Sequence, residues 1–295
     1  MPGATRVVTT LMLKLDRVMT EGPREAGDTD DIVGGLLRFL PIMGRKPSPK
    51  WDEGVLAPMG GENNVARVVL KHLDFHILHP KRDIYRLFRI AWGISLVTHL
   101  SNCTPICHAF IAQNSIRALV NAMDSISPLP THRDSLEYST HCVSLGSNCL
   151  RMHMFAHDGL TGIIQAFSSG VVPVLMRCAE LLANDDEQYF LLLGEDLPKY
   201  IIYPSVLRTA KKSLADFDEA SLRGPSNTKS TISRTAWAAY HQIVLSIEMI
   251  ATIKDEGVGS GREVCANDMV SLVCCLLFFF CFCNIPHSSF LVPQT

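Results

Sequence analysis

Three groups of residues in this chain have types and spacings that could do chemistry. His72, His76 and His79 recur at four and then three residues, which sets three imidazoles on one face of a helix. Imidazole nitrogen is a ligand for zinc and its neighbours in the transition series. A zinc protease of the HExxH kind needs Glu directly after the first His, and Leu73 stands there instead. Cys149, His153 and His157 fall four apart, again along one face. Cys103, Cys107 and His108 form the third group. Three ligands on one straight helix cannot surround a tetrahedral ion without a bend or a partner from elsewhere. All three groups therefore read first as helix packing, with a helical metalloenzyme as the weakest alternative.

Other reaction signatures are missing. "GVGSGRE" (Gly257 to Glu263) has no Lys-Ser/Thr after it and is not a phosphate-binding loop. There is no G-x-S-x-G nucleophile elbow. Asp185-Asp186-Glu187 and Asp216, Asp218 and Glu219 read as solvated loops or helix starts, where carboxylates offset the N-terminal dipole. The net charge of −2 and the lack of a dense basic stripe give no case for nucleic acid.

The elements that would carry these residues are helices. Val65, Val68, Val69, His72, Leu73, His76 and Ile77 recur at three- and four-residue steps, as one buried helix face should. Pro80 cannot continue that helix, Asp83 suits the cap of the next, and Pro105 is placed to open "PICHAFIAQN". Trp237, Tyr240, Val244, Ile247 and Ile250 mark a long final helix. No segment alternates apolar and polar residues between hairpin turns. The fold class is all-α, an armadillo/HEAT-like helical repeat or an irregular α-bundle, with an apolar C-terminal tail helix.

An internal echo favours the repeat. Ser115 to Met123 matches Gly159 to Phe167 in its apolar positions at an offset of 44 residues, inside the ~40–47-residue period of such repeats. "SSGVVPVLMRCAELL" has the same grammar. A helix pair that cannot bury its own apolar stripe stacks on its neighbours and shares one core with them.

Apolar residues make up 47 % of the 295 residues and charged ones 19 %, enough to bury a substantial core. Of the ten Cys, five (Cys103, Cys107, Cys142, Cys149 and Cys178) sit inside helical apolar patterns, where a free thiol behaves as a small core residue. The N-terminus lacks the apolar run and cleavage site of a signal peptide. The expectation is an intracellular protein, cytoplasmic or nuclear, without disulfides.

The remaining five Cys crowd into "GREVCANDMVSLVCCLLFFFCFCNIPHSSFLVPQT", which closes the chain. Here a Gly-rich linker runs from the long helix to Cys265 in "REVC". Together with "RDIYRLFRIAWG" and "SRTAWAAYHQIVLSIEMI", this arrangement resembles a group of fungal proteins with a MYND-type zinc finger, over roughly residues 60–268. The resemblance implies a helical interaction region followed by a finger that holds two zinc ions through seven Cys and one His. Cys265 carries over as the first ligand. The next Cys is missing, because "ANDMVS" follows, and Cys274-Cys275 and Cys281-x-Cys283 have the wrong spacing. The chain resembles the family but lacks its complete zinc site, so no cofactor is expected.

From Ser271 to Thr295 there is no charged residue. One reading is translated intron, since Val270-Ser271 is how a common splice-donor hexamer reads. Another is a membrane anchor: Met269 to Ile285 is 17 residues, at the lower limit of the ~17–25 that cross a bilayer. A buried core helix is the third. The expected organisation is a loosely ordered region (1–60), a helical armadillo-like domain (61–256), a linker with the start of a truncated finger (257–268) and the apolar tail (269–295). The expected function is a non-enzymatic protein-interaction scaffold for an unidentified protein partner. The alternative is a tail-anchored membrane adaptor using residues 269–285.

Overall fold

The computed structural model describes residues 2–23, 25, 27–43, 52–78, 84–127, 133–156, 160–182, 187–215 and 231–259. Among these residues every element is helical and none is a strand, as the apolar periodicity requires. The expected linker, Cys265 and the tail from 269 to 295 lie outside the described residues, apart from Gly257 to Gly259, which belong to the last helix.

The N-terminal 60 residues, expected to be loosely ordered, instead carry core helices. Helix α1 (Pro2–Glu21) buries Val8, Met12, Leu15 and Met19, one stripe at four- and three-residue steps. Helix α2 (Asp30–Met43) buries Val33, Leu36 and Leu40 in the same way. Gly34, Gly35 and Pro41 lower its helix propensity, but packing compensates. A Cβ on Gly34 would meet the Trp92 ring at 3.3 Å and one on Gly35 would meet Leu11 Cδ1 at 2.9 Å, so neighbours occupy the space that side chains would need. A π-helical turn (Asp52–Leu56) leads into α3 (Ala57–Met59), which ends at Gly60 with φ of 77°. The Thr9 hydroxyl of α1 donates to the Gly54 carbonyl of that turn.

The remaining helices are α4 (Glu62–Leu78), α5 (Ile84–Ser101), α6 (Thr104–Ala112), α7 (Ser115–Ile126), α8 (Arg133–Phe155), α9 (Leu160–Ser168), α10 (Val171–Cys178), α11 (Glu187–Phe190), α12 (Leu197–Tyr200), α13 (Pro204–Ala215) and α14 (Thr231–Gly259). A 3-10 turn (Ala179–Leu181) extends α10, and a π-helical stretch (Leu191–Asp196) joins α11 to α12. Pro105 lies in the first turn of α6, where its missing N–H costs nothing.

Like helices stack on like. α5–α6–α7 and α8–α9–α10 are successive units of one design. Their second helices, α6 and α9, are each nine residues long. Each is followed by a tight turn whose last residue is left-handed, Asn114 at φ 61° and Gly170 at φ 77°. Ser115 and Val171 then open the third helices, 56 positions apart. First helices pack on first helices along α2, α5, α8 and α11. Third helices do so along α4, α7, α10 and α14, and the second helix α9 packs on α13. The 44-residue echo is corrected by this arrangement. It pairs α7, a third helix, with α9, a second helix, because both bury one face with a similar apolar pattern. One continuous apolar interior runs from Val8 to Ile250 through all units.

Arg86, at the start of α5, fastens two columns together. It is buried and donates from Nε to the His76 carbonyl (3.0 Å) and from Nη2 to the Ile77 carbonyl (2.7 Å), both in the last turn of α4. Its Nη1 reaches the Ser125 carbonyl at the end of α7 (3.4 Å). A guanidinium at two helix C-termini satisfies orphan carbonyls and meets the negative ends of two dipoles.

Candidate functional site

Two buried polar clusters contain three of the histidines singled out by spacing, His72, His76 and His153. The first centres on His153 of α8. The Ser101 hydroxyl, at the end of α5, lies 2.7 Å from the Val97 carbonyl oxygen and 2.7 Å from His153 Nε2. His153 Nδ1 pairs with the Ser115 hydroxyl at the start of α7 (2.7 Å). Phe110 of α6 stacks on the imidazole with ring centroids 5.9 Å apart. Four helices of two successive units therefore meet on one side chain. Burial pushes the imidazole down to about 4, so it is neutral near pH 7.

The Cys149 thiol lies 3.9 Å from His153 Nε2, and Ser101 also bonds the Cys107 thiol. The structure thus joins two groups that the sequence keeps apart, Cys149-His153 and Cys103-Cys107. His108 is only half-buried, and His157 lies outside the described residues. Burial raises the Cys107 thiol to about 11 and that of Cys149 to about 12. Both are protonated near neutral pH, and a thiolate is the form that attacks or ligates. With both imidazole nitrogens occupied and the thiols protonated, this cluster is a hydrogen-bonded tie between units.

The second cluster is Thr29, His72 and His76. Thr29 stands just before α2, and the two histidines lie on successive turns of α4; all three are buried. Thr29 Oγ1 is 3.1 Å from His72 Nε2 and 3.5 Å from His76 Nε2, and the two Nε2 atoms are 3.2 Å apart. The rings meet edge to face, with centroids 4.6 Å apart. His72 is pushed down to about 3, first by burial and then by the neighbouring His76 and Arg89. Arg89 is itself held by Asp30 in a two-pronged ion pair at 2.7 and 2.8 Å. His79 lies outside the described residues, as do Asp185, Asp186, Asp216, Asp218 and Glu219, while Glu187 is exposed at the start of α11.

Sequence spacing missed Thr29, Ser101 and Ser115, and also the Arg151 cluster. Arg151 of α8 donates to Asp196 Oδ2 (2.6 Å) and Gln188 Oε1 (2.6 Å), tying α8 to the π-helical stretch and α11. These partners lie far along the chain, and only the column order brings them together. Among the described residues, no group of three or more His, Cys, Asp or Glu is placed to hold a metal ion. Among them, too, no single helix is long and apolar enough to cross a membrane.

Fold and clusters together define an all-α protein of stacked helical units with buried polar ties. No protein-family model, no curated protein and no solved structure matches the chain.

Proposed function

We propose that this chain is a non-enzymatic scaffold that presents stacked helices to a protein partner. The observation that carries the reading is the column of third helices. Lys71, Asp74 and Leu78 make one exposed stripe of α4, at steps of three and four residues, and half-buried Arg67, paired with Asp16 of α1, lies one turn before it. Arg117, Asn121 and Asp124 make the equivalent stripe of α7. Arg177 of α10 continues it by donating from Nε to Asp124 (3.0 Å). Stacked units of this kind offer an extended surface that no single unit could. The resemblance of "REVC" to the start of a MYND-type finger supports the same class of role, with Cys265 as the residue that carries over.

The test is partner capture by cross-linking with the full chain, followed by a binding isotherm for the captured protein. Charge reversal of Lys71 and Arg117 together should abolish saturable binding, while reversal of Arg208 on α13 should leave it intact. A partner that binds the Lys71/Arg117 variant as tightly as the parent overturns the reading.

A second reading is favoured by the uncharged run from Ser271 onward: a membrane adaptor held through residues 269–285. Deleting residues 269–295 should then move the protein from the membrane to the soluble fraction. An unchanged distribution rejects it.

A further inference from the structure

We propose that Thr29, His72 and His76 form a binding site for one divalent ion of the zinc class. The three donor atoms make a triangle with edges of 3.1, 3.5 and 3.2 Å. An ion held ~2.0–2.2 Å from nitrogen and oxygen donors in a tetrahedral array keeps those donors ~3.3 Å apart, so one face of such an array has this size. The two imidazoles stand on successive turns of one packed helix, and both turn Nε2 toward the same point. The hydroxyl comes from a separate segment. The site therefore has the partner from elsewhere that one helix face cannot supply.

The surroundings set its strength. Neutral imidazole is the ligating form. Asp30 follows Thr29 in the chain, and both of its carboxylate oxygens are engaged by Arg89. Arg89 opposes a cation near His72, and its pairing with Asp30 offsets that charge. Two nitrogens and a hydroxyl are a short ligand set, so affinity stays modest. The bound ion would pin the start of α2 to α4 and so fasten the N-terminal helices to the stack. This inference stands apart from the scaffold reading.

The test uses the full chain, stripped with chelator and titrated with Co(II) and then Zn(II). One cobalt per chain should give visible ligand-field absorption without the near-ultraviolet thiolate band that cysteine ligation would add, and zinc should displace it. His72→Gln and Thr29→Val should each lower the affinity by about tenfold or more, since even loss of an outer-shell partner costs ~10–100-fold. Should either variant fail to fold by circular dichroism, side-chain nitrogen spectra of the 15N-histidine-labelled parent decide. Zinc must shift two Nε2 signals together. No binding by the parent, binding accompanied by a thiolate band, unchanged affinity in folded variants, or unshifted Nε2 signals would each overturn the proposal.

Discussion

Arg86 Nη2 lies 2.7 Å from the Ile77 carbonyl oxygen, and this short contact joins the first-helix column to the third. The same guanidinium also serves His76 and Ser125, so one buried cation closes the ends of α4 and α7. Replacing it with an apolar side chain of similar length leaves those carbonyls without a charged donor. Arg86→Met should cost about 3 kcal/mol, because charge-assisted bonds contribute roughly 1.5–3 kcal/mol and unpaired carbonyls add to the loss. Urea unfolding followed by circular dichroism measures it. A change below about 0.5 kcal/mol would show that water replaces the guanidinium at no cost.

Close backbone approach predicts a contrast between two glycines. A Cβ on Gly162 of α9 would lie 2.7 Å from Met154 Cα and from the Met154 carbonyl oxygen, which are backbone atoms of α8 and cannot turn aside. A Cβ on Gly146 would lie 2.8 Å from Met123 Sδ, the end of a flexible side chain. Gly162→Ala should therefore cost about 2–3 kcal/mol and Gly146→Ala about 1 kcal/mol or less. Thermal unfolding of the two variants side by side checks the order, and the reverse order would place α8 and α9 differently.

The N-terminal helices should behave as core. Leu15 is fully buried between α1 and its neighbours, so Leu15→Ala should cost about 3 kcal/mol. A chain starting at residue 44 would bare the faces of α4 and α5 that α1 and α2 cover. It should lose its cooperative transition or aggregate. If it instead unfolds at the parent's urea midpoint, residues 1–43 contribute nothing to the stack.

The all-helical class was legible because apolar residues recur at helical steps, and α4 is the plainest case. Of the predicted face, Val65, Val68, Val69, His72, Leu73 and His76 are buried and Ile77 is half-buried. Helix α2 was obscured for a tertiary reason. Gly34 and Gly35 look like helix breakers until Trp92 and Leu11 are seen filling the space beside them. The repeat was legible as a tendency but not in register, since hydrophobic pattern alone does not say which column a helix joins. Both turns that mark the register end in a left-handed residue. At Gly170 that conformation suits glycine, while Asn114 adopts it as the commonest exception. The His153 cluster was half legible. Spacing paired Cys149 with His153, but Ser101 and Ser115 lie 52 and 38 residues from it, beyond any local rule.

The titration of the buried histidines and thiols predicts a stability maximum near neutral pH. His153 and His72 are held down to about 4 and about 3 in the folded chain, against about 6.5 when unfolded. Above pH ~6.5 neither state binds the proton, and the neutral, packed form is fully favoured. As pH falls through ~6.5 the unfolded chain takes up protons first, so stability is lost progressively down to the folded values. The loss for His153 alone is about 3 kcal/mol by pH ~4. At the alkaline end the sign reverses. Burial raises Cys107 to about 11, and Cys142 and Cys149 to about 12. The unfolded thiols ionise from about pH 8.5 while the folded ones stay protonated, so stability falls as pH rises past that point. Urea midpoints measured from pH 5 to 10 should therefore peak between about pH 7 and 8. His153→Gln should lower the whole curve and make its acid arm shallower, leaving the part that His72 supplies, because that arm belongs to the titrating rings while the loss of packing is independent of pH. An acid arm equally steep in that variant, or a parent curve level between pH 7 and 5, would mean that His153 meets solvent in the folded chain and does not tie α8 to Ser101 and Ser115.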